Sequence, residues 1–451
     1  MSNDIRIKNG LTINLKGAAK NIVKNAPYPK SISLNPSDFH LIIPKMVVKI
    51  DQKINIGDVI FYSKKDERIK FCSPVDGTIR EIVRGAKRKI IEIIIDVDKN
   101  QKNVEPKIID FEILNEKEIK NFILNSGCWP FIKQRPYDII ANPSDKPKSI
   151  FVSTFNSAPI SADFQIILDD QKEEFKTGLK VLSKLTDGEI NICVKKDIPT
   201  FINKINNIKV HFVSGPHPSG NVGVQIHHIN PINQGERVWI LGPEDVAILG
   251  RLFLKGTYNP IRTLAISGAP VKNPQYYKTI VGSELSEIIN DAGIDLNDSL
   301  RIINGDVLSG VKVEPDNYIG FYNNTVSVLR EGNNYRMFGW VPFINNEVPS
   351  IYKTSFSWLF PNKKYDLDTN LNGEERAFVV TGEMEKVFPM DIFPMQLLKE
   401  CMVGNIDKME NLGIYEVAPE DFSLIDYSSS SKIEAQYIIR KGLDLMIEEV
   451  G

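Results

Sequence analysis

The sequence predicts a multidomain protein of mixed β and α/β class. Its 451 residues exceed one compact core, since most domains hold about 100–150 residues. Hydrophobic residues make up 42% and charged residues 25% of the chain, which is the balance of a folded globular protein. Short β-rich runs dominate the first 100 positions, and strand patterns then alternate with helical patterns. This order indicates a small β domain followed by an α/β domain.

Residues 1–100 predict the small β domain. Its strand-like runs share β-branched residues and flanking glycine or proline, and lie at 5–7, 11–15, 40–44, 46–50, 58–62, 78–83 and 89–97. The Gly57–Asp58 and Asp76–Gly77 dipeptides are turn signals between such runs, so a meander of hairpins is expected. Lys and Arg outnumber Asp and Glu here, which favours an anionic partner or a membrane surface, although such a bias usually marks a solvated face.

Residues 101–148 have a mixed pattern and are interpreted as a connecting segment that ends in the polar stretch 142–148. Residues 149–258 then predict an α/β domain. Strands are expected at 149–153, 189–194, 210–214 and 238–242. Helices are expected around Phe175–Leu185, near Pro199 and over 243–255. This alternation is typical of a mostly parallel, doubly wound, Rossmann-like sheet.

The last third of the chain predicts two further units. Residues 259–312 indicate a compact group of strands with a helix over 283–292 that is stopped by Gly293. Residues 313–451 form a partly helical C-terminal region, with helices expected over 396–409 and 432–450. The final helix places five apolar residues on one face, which is expected to pack on its own protein: Ala435, Ile439, Leu443, Met446 and Val450.

Composition also excludes several classes of protein. The four cysteines are far apart and form no CxxC pair, so an iron–sulfur cluster or structural zinc is not expected and the thiols should be reduced and mostly packed. A net charge of −2 argues against a nucleic-acid binder. No apolar run approaches the roughly 18–20 residues that span a bilayer, and the N-terminus lacks an apolar signal core. We therefore expect no transmembrane segment and a cytoplasmic location.

Local motifs for catalysis or nucleotide binding are absent. No two of the 29 glycines stand two positions apart, which excludes a GxGxxG dinucleotide fingerprint. A Walker A loop fails because Gly215 and Gly220 are not followed by Lys and Ser/Thr. No nucleophile elbow or HExxH helix occurs either. Catalysis by this chain alone is therefore not expected.

The loop at 214–231 is the strongest local candidate for ligand contact, because it follows a predicted strand of the doubly wound sheet. Glycines at 215, 220 and 223 would permit a ligand to approach the backbone closely. His217, His227 and His228 also fall in this loop. Adjacent histidines on a strand would face opposite ways, and no carboxylate shares their spacing, so a metal site is not expected.

Six segments in order resemble the A-subunit family of the Na+-translocating NADH:quinone reductases. They lie at 44–58, 71–79, 214–231, 269–274, 303–310 and 372–394. Because they span nearly the whole chain, the resemblance covers all of the predicted domains.

The resemblance implies a fold for each domain. Residues 1–100 are similar to a barrel-sandwich hybrid of the biotinyl/lipoyl type, 149–258 to the Rossmann-like domain of complex I-type subunits, and 259–312 to a β-grasp, soluble-ligand-binding domain. Between Ile60 and Pro74 the chain has no Met-Lys-Met, so neither Lys64 nor Lys65 is an expected biotin or lipoyl attachment point. It also lacks the flavin loops and cysteine clusters of complex I-type relatives. No covalently bound cofactor is therefore expected, and FMN, FAD and iron–sulfur centres are expected on partner subunits.

The resemblance also implies a function. Assemblies of this family oxidise NADH, reduce quinone such as ubiquinone and export Na+. The A-subunit is expected to be peripheral on the cytoplasmic face of the inner membrane, to dock chiefly on the membrane-embedded B-subunit and to help form the quinone site. Two alternative hypotheses remain open: the chain is a self-sufficient FMN-containing NADH:acceptor oxidoreductase, or it is a carrier domain fused to a scaffold.

Eight residues are the predicted contacts with quinone, another ligand or a partner protein: Phe131, Arg135, Tyr137, Gly215, His217, Gly220, Asn221 and Gly223. A quinone ring would stack on Phe131 or Tyr137, and Arg135 would donate to a quinone carbonyl. Packing in the core or in an interface is the alternative for each aromatic residue.

Overall fold

A computed structural model describes residues 4–101, 107–196, 207–332, 348–351 and 356–451. In chain order its strands are β1 (Asp4–Arg6), β2 (Val23–Asn25), β3 (Ser31–Leu34), β4 (Pro44–Met46), β5 (Lys53–Ile54), β6 (Val59–Ser63), β7 (Lys70–Cys72), β8 (Gly77–Arg84), β9 (Ile90–Val97), β10 (Lys133–Arg135), β11 (Ile139–Ile140), β12 (Ser149–Ser153), β13 (Glu189–Lys195), β14 (Ile208–Ser214), β15 (Val238–Ile240), β16 (Ile261–Ser267), β17 (Gln275–Ile280), β18 (Leu300–Asn304), β19 (Val311–Val313) and β20 (Thr325–Arg330).

The α-helices are α1 (Glu116–Asn125), α2 (Phe164–Leu168), α3 (Lys172–Ser183), α4 (Val222–Ile229), α5 (Pro243–Lys255), α6 (Ser286–Asp291), α7 (Met384–Val387), α8 (Pro394–Val403), α9 (Ile406–Asn411), α10 (Ser423–Ser428) and α11 (Ala435–Glu449). Short 3-10 helices lie at Pro36–Asp38, Ala86–Arg88, Trp129–Phe131, Phe356–Leu359, Ile414–Glu416 and Pro419–Phe422. None of the helices within the described ranges is long and apolar enough to cross a membrane.

Strands β3 to β9 form the barrel-sandwich domain. The described strands make one sheet in the order β3-β9-β8-β5 and a second in the order β4-β6-β7. The turn at 55–58 is present: the Asn55 amide donates to Asp58 Oδ2 at 2.8 Å, and Gly57 has φ +86°. It joins β5 in one sheet to β6 in the other, so the predicted meander of hairpins is wrong at this turn. A chain pattern reveals a turn but not which strands pair across it.

The α/β domain contains the predicted parallel sheet. Strands β14, β13, β12 and β15 are parallel neighbours in that order. Helices α3 and α5 cover one face, where Gly178 and Gly250 allow the two backbones to approach closely. Helix α4 covers the other face, and its Ile226 packs with Phe151 of β12. The doubly wound class is therefore confirmed.

This sheet extends beyond the predicted 149–258. Strand β1, expected in the small β domain, instead pairs in parallel with β14. Strands β10 and β11, from the predicted connecting segment 101–148, form an antiparallel hairpin beside β15. The run at 11–15 forms only isolated bridges, from Leu11 to His217 and from Leu15 to Tyr365. The helical piece expected near Pro199 lies outside the described residues.

A mixed sheet forms the β-grasp domain. Its described strands run in the order β19-β18-β20-β16-β17-β2. Ile288 and Ile289 of α6, with Leu285 just before the helix, pack against it. Gly293, with φ +71°, follows the end of this helix as predicted. The sheet includes β20 from beyond residue 312 and β2 from the first 25 residues of the chain. The β-grasp class is confirmed, but the strands of the sheet come from three separate stretches of the chain.

The C-terminal region is partly helical, as predicted, but one expected helix is two. Helix α8 ends at Val403, Gly404 adopts φ +72°, and the Asn405 side chain then caps α9. The left-handed glycine stops the helix that was predicted over 396–409. In α11, Ala435, Ile439, Leu443 and Met446 are fully buried against this region. Val450, which follows the end of the helix, is exposed.

Candidate functional site

The turn between β10 and β11 directs Arg135 into the protein. The Arg135–Pro136 peptide bond is cis, and Tyr137 and Asp138 have φ values of +83° and +53°. Lys133 Nζ lies 2.7 Å from Asp138 Oδ1 across this turn. The Arg135 side chain is only 1% exposed, so its guanidinium must find its partners within the protein.

Arg135 is surrounded by three carboxylates. Its Nη2 donates to Glu420 Oε1 at 2.8 Å, while longer ion pairs of 3.7 Å and 3.9 Å reach Asp138 and Asp421. Burial lowers the pKa of Arg135, but attraction to Asp138, Glu420 and Asp421 outweighs it and raises the net value. Nε and Nη1 have no hydrogen-bond partner within the described structure. Arg135 therefore keeps its positive charge and has two nitrogens that donate to no described residue.

Asp421 is a buried carboxylate beside Arg135. It lies in the 3-10 helix Pro419–Phe422, and its Oδ2 accepts from the Ala418 amide at 2.9 Å. Burial raises its pKa to about 7 despite the nearby Arg135. Its Oδ1 makes no hydrogen bond to any described residue. Asp421 can therefore take up or release a proton near neutral pH.

The predicted segment 214–231 approaches the predicted residue Arg135 here. Its latter half is helix α4 rather than a loop, because Pro218 to Asn221 turn the chain into a helical start. Asn221 Nδ2 donates to the Glu420 carbonyl at 3.2 Å, and Gly223 packs against the Asp421 carboxylate. Arg135, Asn221 and Gly223 thus converge on Glu420–Asp421, which the sequence analysis did not single out. We call these five residues the Arg135 cluster.

The other residues of the segment lie apart from this cluster. His217 Nδ1 is 3.0 Å from Ser157 Oγ, which also accepts from the Gly220 amide at 2.8 Å. Burial lowers the pKa of His217 to about 4, so the ring is neutral at physiological pH. Gly215, with φ +133°, packs against the Ile7 carbonyl next to β1. The Gly215 contact holds the loop against the N-terminal segment, and the His217 and Gly220 contacts hold it against Ser157.

His227 and His228 lie on α4, so the expectation that they alternate on a strand is wrong. His227 Nδ1 pairs with Glu416 at 2.7 Å, and its Nε2 accepts from the Asp391 amide at 2.9 Å. His228 Nδ1 lies 2.9 Å from the Val224 carbonyl of its own helix. Within the described ranges, no group of three or more His, Cys, Asp or Glu side chains is placed to hold a metal ion.

The two predicted aromatic contacts are packed against other rings. Phe131 is 1% exposed and stacks on Phe321, with ring centroids 4.6 Å apart, which joins the α/β and β-grasp domains. The Tyr137 ring meets Tyr415 edge-on at 6.3 Å. Phe131 therefore packs in the core, the alternative to ligand contact, and Tyr137 packs at the junction with the C-terminal region.

A cavity that sequence reasoning missed lies elsewhere in the C-terminal region. It measures about 150 Å³, and its walls combine apolar or aromatic residues with a few polar groups. Its aromatic lining is Trp358, Phe360, Tyr365 and Tyr427, and the segment 11–14 forms another wall. The aromatic run at 358–360 was the feature of the sequence that could have indicated this cavity. We call this space the aromatic cavity.

Comparison with protein families and curated proteins decides the family. Family profiles match at 5–98 (NqrA N-terminal barrel-sandwich hybrid domain), 114–258 (NqrA second alpha/beta domain) and 263–314 (NQRA C-terminal domain). The A-subunit of the Na(+)-translocating NADH-quinone reductase of Neisseria meningitidis serogroup A is 32% identical over 99% of this chain and 100% of its own length. The chain belongs to this A-subunit family. Its resemblance to the family, and the fold class that this implied, are confirmed.

Other members of the A-subunit family match to the same degree. Those of Marinomonas sp. and Photorhabdus laumondii are each 33% identical, over 98% and 99% of this chain and 99% and 100% of their own lengths. Among solved structures, a chain of an NAD+-reducing [NiFe]-hydrogenase superposes with a TM-score of 0.40 and 10% identity. The match covers 75% of this chain and 62% of the hydrogenase chain. A likeness of this size supports no inference about function.

Proposed function

We propose that the chain is a peripheral component of a Na+-translocating NADH:quinone oxidoreductase, on the cytoplasmic face of the membrane. The observation that carries the proposal is the A-subunit match, which extends over 99% of this chain. In this role the chain docks on the membrane-embedded B-subunit, contacts quinone and is coupled to Na+ export through the whole complex. Taken alone it is not catalytic, and FMN, FAD and iron–sulfur centres belong to its partners.

Two measurements test this proposal. Purified with its partner subunits in detergent, the chain should remain bound to the membrane-embedded B-subunit. Purified alone, it should lack the flavin absorption band at about 450 nm. A retained stoichiometric flavin that NADH reduces would overturn the proposal in favour of the self-sufficient oxidoreductase. An intact mass with an added biotin or lipoyl group would instead support the carrier domain.

We place the quinone contact at the aromatic cavity. Sites for small aromatic ligands are concave, mostly apolar and furnished with a few polar groups, which describes this cavity. Thr12 and Asn14 are polar groups in its wall, and Trp358 and Phe360 offer ring faces for stacking. Arg135 and Gly223, by contrast, are buried, and protein neighbours pack closely against them.

Replacement of one ring tests this placement. Trp358→Ala should weaken the binding of a soluble quinone analogue about three- to tenfold, because an aromatic stack contributes about 0.5–1.5 kcal/mol. Phe393→Ala is the matched control, since Phe393 is also an exposed aromatic residue but does not line the cavity. If Asn221→Ala weakens binding and Trp358→Ala does not, the contact lies at the Arg135 cluster instead.

A further inference from the structure

The outer face of the barrel domain's smaller sheet combines exposed aliphatic and cationic side chains. Ile43, Val47 and Ile50 are 52%, 50% and 53% exposed. Lysines alternate with them along the chain. We define the β4 face by six residues: Ile43, Lys45, Val47, Lys49, Ile50 and Lys64.

Strand register places these residues on one surface. Positions 43, 45 and 47 point to the same side of an extended chain. Lys45 pairs with Tyr62 of β6, and its Nζ lies 5.2 Å from that ring centroid. The Lys64 amide donates to the Ile43 carbonyl at 2.8 Å, so Lys64 flanks Ile43. The β4 face is therefore continuous across the two strands.

A turn extends the face beyond the strand. Val48 is buried and anchors the chain to the barrel core, and the Gln52 amide then donates to the Lys49 carbonyl at 3.2 Å. This turn leaves Ile50 projecting into solvent beside Lys49. No other described residue covers Val47 or Ile50. These apolar side chains therefore stand individually in solvent, between lysine side chains.

The charge of this surface is only partly neutralised. Lys45 pairs with Glu67 at 3.3 Å, and Asp51 lies in the turn. Lys49 and Lys64, however, lie within ion-pair distance of no carboxylate in the described parts of the chain. Lysines at 53 and 65 add further positive charge nearby. An occupant with negative charge is therefore favoured.

We propose that the β4 face binds the surface of a bilayer that contains anionic lipids. Lysine is depleted from the cores of protein interfaces, which argues against a protein partner on this face. Isolated aliphatic side chains can instead enter the headgroup region while lysines remain at the phosphates. Lys45 and Pro44 would also discourage edge-to-edge pairing of β4, but that role needs no exposed Ile43 or Val47. The inference goes beyond the proposed function, which concerns protein partners and quinone.

Vesicle flotation with the full chain tests the charge requirement. Binding should be strong to phosphatidylcholine vesicles that contain phosphatidylglycerol, weak to pure phosphatidylcholine, and reduced by salt. The K49E/K64E variant should bind at least about tenfold more weakly, since each lysine near the surface contributes about 1 kcal/mol. K117E/K180E is the matched control: it makes the same charge change on exposed lysines of α1 and α3 and should bind as the wild type does.

A second pair of variants tests the aliphatic side chains. V47S/I50S should also weaken binding, whereas I108S/I113S, which alters two exposed isoleucines elsewhere, should not. Thermal unfolding would verify that all four variants are folded. Equal binding to neutral and anionic vesicles, or equal losses in test and control variants, would overturn the inference. The inference would also be overturned if the wild type did not bind vesicles while the K49E/K64E variant lost its partner proteins in detergent. The proposed function would survive each of these results.

Discussion

The carboxylate of Asp421 lies so close to Gly223 that a Cβ atom on Gly223 would stand 2.5 Å from Asp421 Oδ2. This contact joins α4 of the α/β domain to the 3-10 helix Pro419–Phe422 of the C-terminal region. Glycine is required at position 223 because a larger residue would clash with this carboxylate. All eight predicted contact residues lie at 131–137 and 215–223, and this carboxylate contacts both stretches, because Arg135 Nη1 lies 3.9 Å from its Oδ2.

Gly223→Ala should lower the free energy of unfolding by about 1–3 kcal/mol, because the added methyl group displaces the Asp421 carboxylate. Urea denaturation would measure the loss. In the double variant Gly223→Ala/Asp421→Ala the clash is gone, so the combined loss should be smaller than the sum of the two single losses. Strict additivity would contradict this account of the contact.

The stability of the chain should depend on pH through Asp421. Its folded pKa of about 7 exceeds the ordinary 3.8, so between these pH values the native carboxyl keeps a proton that the unfolded chain has released. The free energy of unfolding should therefore fall as pH rises from about 4 to about 7. At 1.36 kcal/mol per pKa unit, the fall is at most about 4 kcal/mol.

Asp421→Asn should flatten this pH dependence, because asparagine does not titrate. Urea denaturation at several pH values would compare the variant with the wild type. Asp38, whose pKa burial raises to about 6, contributes a fall of the same sign and is present in both proteins. Only the difference between the two curves therefore reports on Asp421, and parallel curves would refute its assignment as the titrating group.

Gly404→Ala should destabilise the chain by about 1 kcal/mol, because alanine does not adopt φ +72° without strain. Gly404→Asn should cost less, since asparagine tolerates the left-handed region. Thermal unfolding of both variants would rank them. Equal losses would mean that contact of the new side chain with Leu445, rather than backbone strain, sets the cost.

The four cysteines should resist alkylation while the chain is folded. All are buried, and burial raises the pKa of Cys72, Cys128 and Cys401 to about 12, so the reactive thiolate is rare. Mass spectrometry after brief iodoacetamide treatment at pH 8 should show no adduct in buffer and four in urea. Rapid native labelling of any one cysteine would contradict the described packing.

Buried apolar strands were the part of the fold that the sequence predicted best. Strands β12 and β13 are runs rich in Ile and Val between polar flanks, and both were expected within one residue of their observed ends. Strand β10, with the sequence KQR, carries no such pattern, because its place depends on pairing with Trp239 and its neighbours. Strand β1 was expected, but local residues do not encode its partner, which lies about 200 positions away.

In the candidate sites, too, some residues could be predicted from the sequence and others could not. Arg135, Asn221 and Gly223 could be chosen from residue type and from the rule that ligands bind near strand ends. Glu420 and Asp421 could not, because only the folded chain brings them to Arg135. The aromatic cavity was missed for the same reason, since it joins residues 11–14 to residues beyond 348.

The first 25 residues contribute one strand to each of two sheets before the barrel begins. Strand β1 forms an edge of the α/β sheet, and β2 forms an edge of the β-grasp sheet. During synthesis both strands leave the ribosome long before their partners β14 and β17 exist. A fragment that began at residue 26 would expose two unpaired edges and invite aggregation. For recombinant work, the three domains are therefore best produced as a single polypeptide.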